Sequence, residues 1–183
     1  DSEGPPGDHF DPGWTHDVLN LLDALPNLDF VDPERVGMWG HSTGGEIALQ
    51  VVTARDNVDA LVLFGSLGVD AADNLAAMQG EDRDRRAFAI QRYGLPPEAS
   101  EVWTKLSPIT YLPDISTPIS IHHGSLDEEA PPAVSARLWQ AMQVANLSGE
   151  YYTYRDQGHF FAGPVWTLAM ERTLAFFDQY VKE

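Results

Sequence analysis

Apolar positions along this chain alternate between two spacings, that of a helix face and that of a short buried strand. Trp14, Val18, Leu21, Leu22 and Leu25 recur at helical spacing, which predicts an amphipathic helix over residues 14–25, ended by Pro26. Residues 36–39 form a strand-like run, and after a glycine-rich turn Ile47, Ala48, Val51 and Val52 return to helical spacing. Residues 60–65 are continuously apolar, as expected of a strand covered on both faces. A third strand is predicted over 119–124. Pro131 and Pro132 then open a helix that carries Val134, Leu138, Met142 and Ala145 on one face, since proline is tolerated in a first turn. Tyr151, Tyr152 and Tyr154 mark a fourth strand. A last helix over 165–181 places Trp166, Ala169, Met170, Leu174, Phe177 and Val181 at core spacing.

Strands that alternate with helices predict an α/β fold, a doubly wound and mostly parallel sheet with helices on both faces. Residues 1–183 read as a single domain. Within it, residues 69–108 are charged and helical, with Asp, Glu and Arg gathered around 81–86. That segment reads as a solvated helical excursion and also as a lid with Phe88, Tyr93 or Trp103 turned toward a pocket, two readings that can hold together. Residues 1–13, rich in Gly, Pro and Asp, read as an irregular loop.

The turn after the first strand carries the chemistry. In Gly40-His41-Ser42-Thr43-Gly44 a serine sits at the apex of a strand-turn-helix, where bulky neighbours two residues away on either side would collide. Its hydroxyl then stands clear of the sheet beside a helix N-terminus, and the backbone N–H of Thr43 is aimed at a developing oxyanion. A serine hydroxyl needs a base, and the base needs a carboxylate to hold its tautomer. In a parallel sheet such groups gather after the carboxyl ends of strands. Ser42 follows the first predicted strand, Asp127 the third and His159 the fourth. Glu128 and Glu129 adjoin Asp127 and are alternatives to it. His41, His122 and His123 read as structural, and His122 and His123, side by side on a strand, point to opposite faces, which argues against a shared metal. His9 and His16 have no partner that the pattern identifies.

Composition narrows the reading. Eleven basic against twenty-eight acidic residues leave a formal net charge of −17 in 183 residues, a surface that repels phosphate backbones and anionic lipids, so neither nucleic acid nor a membrane surface is expected as partner. No apolar run approaches the length of a membrane span. The absence of cysteine excludes disulfides, thiol catalysis and thiolate metal sites together. A soluble protein is expected, cytoplasmic by default, with secretion left open. Neither a metal nor an organic cofactor is required by the chemistry.

Three ordered motifs, Val31-Asp32-Pro33-Glu34-Arg35-Val36-Gly37 leading to Gly40-His41-Ser42-Thr43-Gly44-Gly45, then His123-Gly124-Ser125-Leu126-Asp127, then Gly158-His159-Phe160-Phe161, resemble the α/β-hydrolase superfamily. The resemblance is strongest to its prolyl-oligopeptidase-like and dienelactone-hydrolase-like branch of serine peptidases and esterases, and it runs through nearly the whole chain. It implies Ser42 as nucleophile, His159 as general base and Asp127 as the acid that orients it. It also implies a second oxyanion donor from a loop of the full domain that this sequence does not contain. Ser2-Glu3-Gly4-Pro5-Pro6-Gly7 resembles the loop after that domain's fourth strand. The chain is therefore expected to be the C-terminal half of an α/β-hydrolase sheet, completed by an N-terminal half or by a pairing chain. The expected activity is cleavage of a small-molecule ester or a short peptide through an acyl-enzyme. A carboxylesterase is preferred because no companion propeller is present; a prolyl-oligopeptidase-like peptidase and a non-catalytic binding domain are the alternatives.

Overall fold

The computed structural model of the chain describes residues 10, 12–78 and 83–182. Most of the predicted opening loop, with His9 and the Ser2–Gly7 resemblance, and the start of the charged cluster at 81–86 lie outside the described residues. Four strands, β1 (Gly37–His41), β2 (Ala60–Phe64), β3 (Ile119–Gly124) and β4 (Gly149–Tyr154), form one parallel sheet in sequence order. Helices α1 (Gly13–Ala24), α2 (Thr43–Ala54), α3 (Ala71–Ala77), α4 (Arg83–Tyr93), α5 (Ser100–Leu106), α6 (Pro132–Ala145) and α7 (Gly163–Tyr180) connect or follow them.

Because each crossover steps the same way across the sheet, the crossover helices stack on one face. Leu61, Leu63, Ile119 and Ile121 meet Leu49 and Val52 of α2 and Leu138 and Met142 of α6 there, with Leu22 of α1. The other face belongs to α7: Ala60, Val62 and Phe64 of β2 pack with Tyr154, Ala169 and Phe176. The alternation along β2, with every residue buried, is what an interior strand of a three-layer fold requires. Each fully buried Leu or Ile contributes roughly 1.5–3 kcal/mol. The sheet core therefore carries the site.

Boundaries differ from the pattern for identifiable reasons. β1 extends to His41, beyond the predicted 36–39, because pairing with β2 continues through His41 opposite Phe64. β4 begins at Gly149, two residues before the tyrosine run, because a side chain there would overlap Ile119 O of β3. A 3₁₀ segment, Pro108–Asp114, joins the excursion to β3 and had no periodic signal. Within 69–108, Trp103 is only 2% exposed and packs with Phe10, Ala71, Leu75 and Ala89 in a core of its own, while Phe88 is 51% exposed. Tyr93 packs edge-on against Trp103. The tryptophan thus holds the excursion's helices together.

Candidate active site

Ser42 stands between β1 and α2 with φ 55° and ψ −125°, a left-handed conformation that costs a non-glycine residue on the order of 1–3 kcal/mol. Surrounding bonds hold it there. Its N–H donates to Phe64 O at 2.9 Å, and its own carbonyl accepts from the N–H groups of Gly45 and Glu46 at 3.0 and 3.3 Å, which starts α2. A Cβ on Gly40 would lie 2.5 Å from Gly44 O and 2.6 Å from Gly45 Cα, so glycine is obligatory before the serine. After it the requirement shifts by one residue. Gly44 faces open space, whereas a Cβ on Gly45 would meet Ser66 Oγ at 2.6 Å.

Asp127 follows β3 and is buried, while Glu128 and Glu129 are exposed. Its Oδ1 accepts the N–H groups of Glu129 and Ala130 at 3.0 and 2.8 Å, and its Oδ2 faces His159 Nδ1 at 2.8 Å. Since a carboxylate only accepts, Nδ1 carries the proton and Nε2 keeps a free lone pair. The loop that carries His159 is tied to the loop that carries Asp127: Ser125 N–H donates to Tyr154 O, Leu126 N–H to Gln157 O and Asp156 N–H to Ser125 Oγ, at 2.8 to 2.9 Å. Gly124 permits this, because a side chain there would overlap the carbonyls of Gln157 and Gly158. Among the described residues no hydrogen bond joins Ser42 Oγ to His159; in unliganded sites such bonds are often long and close only around substrate.

Two features at the site had no sequence signal. Gly65, after β2, lies directly beneath the Asp127–His159 pair. His41, read as structural, places Nε2 3.0 Å from His159 O with its ring 4.4 Å from the His159 ring. Beside them is a pocket of about 350 Å³ walled by Trp39, His41, Phe64, His159, Phe160 and Trp166. The remaining histidines of β3 are buried and face opposite sides. His122 lies between Ser120 Oγ and Tyr154 OH at 3.0 and 2.7 Å, stacked on Phe64. Burial, with the Arg172 charge as a smaller influence, pushes its pKa down to about 3. Among the described residues no three His, Asp or Glu side chains are grouped to hold a metal ion. No described helix is long and apolar enough to cross a membrane.

Residues 13–183 match the prolyl oligopeptidase family. The chain belongs to that family. It has the α/β-hydrolase fold. Dipeptidyl-peptidase 5 of Porphyromonas gingivalis is 25% identical over 178 residues, which are 91% of this chain and 25% of that protein. A puromycin-hydrolyzing peptidase of Mycobacterium tuberculosis superposes with a TM-score of 0.79 at 23% identity, over 92% of this chain and 25% of that one. The acylaminoacyl peptidase of Pyrococcus horikoshii gives 0.76 at 20% identity, over 92% and 28%. The chain thus spans about a quarter of the length of these relatives and corresponds to a C-terminal part of their α/β sheet.

Proposed function

We propose that the whole protein is a serine peptidase that hydrolyses short peptides, with Ser42 as nucleophile, His159 as general base and Asp127 as orienting acid. Ser42 Oγ attacks the carbonyl carbon of the scissile bond as its proton passes to His159 Nε2. The negative charge that forms on the carbonyl oxygen is met by the N–H of Thr43, the first residue of α2, whose amide has no partner inside the helix. Collapse breaks the C–N bond, and His159 returns the proton to the leaving amine. Water then repeats the sequence on the acyl-Ser42 ester and regenerates the hydroxyl.

The observation that carries this reading is the pairing of a strained serine, at φ 55°, with a buried carboxylate–imidazole contact of 2.8 Å at the same end of the sheet. A peptide substrate is favoured over the ester first expected, because the relatives are peptidases. The preference for an ester rested on the lack of a companion domain. The chain covers only 25% of a matched peptidase, so that lack has no bearing on substrate. In this reading residues 1–183 belong to one catalytic domain, with 69–108 a helical excursion within it.

The test compares full-length protein on aminoacyl and dipeptidyl p-nitroanilides with p-nitrophenyl esters of the same acyl groups. Turnover of the anilides, lost by a factor on the order of 10³ or more in Ser42→Ala, is the expected result. Esters cleaved while every anilide is left intact would return the assignment to a carboxylesterase.

A further inference from the structure

His123 has no part in the chemistry above, yet it is fully buried one strand position before the loop that carries Asp127. Its Nε2 lies 2.7 Å from Ala130 O and 3.3 Å from Asp127 Oδ2. Both of those atoms only accept, so Nε2 must carry the proton. Nδ1 is then an acceptor, and Ser135 Oγ on α6 donates to it at 2.6 Å. The tautomer is fixed from both sides. Burial, the largest influence on the ring, holds its pKa below the ordinary histidine range, which keeps it a neutral donor.

Asp127 Oδ2 therefore accepts from His159 Nδ1 at 2.8 Å and has beside it, at 3.3 Å, His123 Nε2, whose proton is directed mainly at Ala130 O. Oδ1 is held by the N–H groups of Glu129 and Ala130. Three N–H groups hydrogen-bond the carboxylate, and His123 Nε2, whose proton is shared with Ala130 O, closes on Oδ2 from the remaining side at 3.3 Å, so rotation away from His159 would also take Oδ2 off the His123 ring. Because His123 is uncharged, it anchors the oxygen without neutralising the charge that the His159 imidazolium needs. We propose that His123, backed by Ser135, is a positioning residue that aims the Asp127 carboxylate at His159. The proposal rests on the reading of Asp127 and His159 as catalytic partners.

Two near-isosteres separate positioning from mere packing. A glutamine amide nitrogen reaches the place of imidazole Nε2; an asparagine side chain reaches only the place of Nδ1. In the full-length protein, assayed on p-nitrophenyl acetate, His123→Gln is expected to keep kcat within about threefold, while His123→Asn loses about ten- to a hundredfold in kcat with little change in KM, the scale of one hydrogen bond to a charged group. Their unfolding midpoints should fall together. Equal losses of kcat in the two variants, or an unchanged kcat in His123→Asn, would overturn the proposal.

If His123→Asn does not fold, the imidazole ¹⁵N shifts of the wild-type protein decide: at about pH 7.5, above the ordinary histidine range, a protonated Nε2 with bare Nδ1 is required, and a protonated Nδ1 contradicts it. Ser42→Ala, run alongside, keeps the two readings apart. Turnover lost there but kept in His123→Asn removes only the positioning role; turnover that survives Ser42→Ala removes the triad and the positioning role with it.

Discussion

Gly65 lies close enough beneath His159 that a Cβ on it would stand 3.1 Å from His159 Nδ1, and 3.0 Å from Asp127 Oδ2. The residue also has φ +47°, and its N–H donates to His122 O at 2.9 Å. Space and backbone both require glycine. Gly65→Ala should therefore push the carboxylate–imidazole pair out of line, and displacements of this kind cost on the order of a hundredfold in turnover. Steady-state kinetics with a parallel melting curve checks this. Activity within twofold of wild type would mean that the pair tolerates the shift.

The two glycines that flank Ser42 are not equivalent. Gly40→Ala drives a methyl into the backbone of Gly44 and Gly45 and should abolish activity or prevent folding. Gly44→Ala meets nothing within 4 Å and replaces a helical glycine, so it should leave kcat nearly unchanged and raise stability by roughly 0.5–1 kcal/mol. Chemical denaturation of both variants makes the comparison.

Asp127 and its neighbours separate by geometry alone. Asp127→Asn leaves a side chain of the same shape but upsets the His159 tautomer, and comparable changes lower kcat about 10⁴-fold. Glu128→Gln and Glu129→Gln alter exposed side chains and should stay within about twofold. A large loss in either glutamate variant, with Asp127→Asn mild, would transfer the acid role.

His122 sets a pH dependence of folding. Its pKa falls from an ordinary 6.5 to about 3 in the folded protein. Below pH 6.5 the unfolded chain binds a proton on this ring and the folded protein does not, so stability is lost as pH drops from about 6.5 toward 3, by roughly 5 kcal/mol over the whole span. Above that window His122 contributes no pH dependence. The ring-proton NMR shift of His122 should stay flat between about pH 7.5 and 4.5, where an exposed histidine titrates near 6.5. A midpoint near 6.5 would show that the ring is solvated.

Strands and helices were legible because their apolar spacing is regular, and Ser42, Asp127 and His159 stood out because each follows an apolar strand. What remained hidden depends on contacts between segments far apart in sequence. Gly65 matters only because loops bearing Asp127 and His159 close over it. His123 looked like an ordinary buried histidine until Ser135, twelve residues on, and the turn at Ala130 came within reach. Trp103 read as a possible pocket residue because its burial is supplied by Phe10, Leu75 and Ala89 from three other segments. The start of β4 was missed because Gly149 lacks β propensity but is the residue that fits against Ile119.

The most direct test of the account is reaction of the full-length protein with a fluorophosphonate, followed by intact-mass measurement and peptide mapping. The account predicts a single adduct on Ser42, formed at a rate that collapses in His159→Ala. No adduct, or an adduct on a serine elsewhere, would contradict the assignment of Ser42 as the nucleophile.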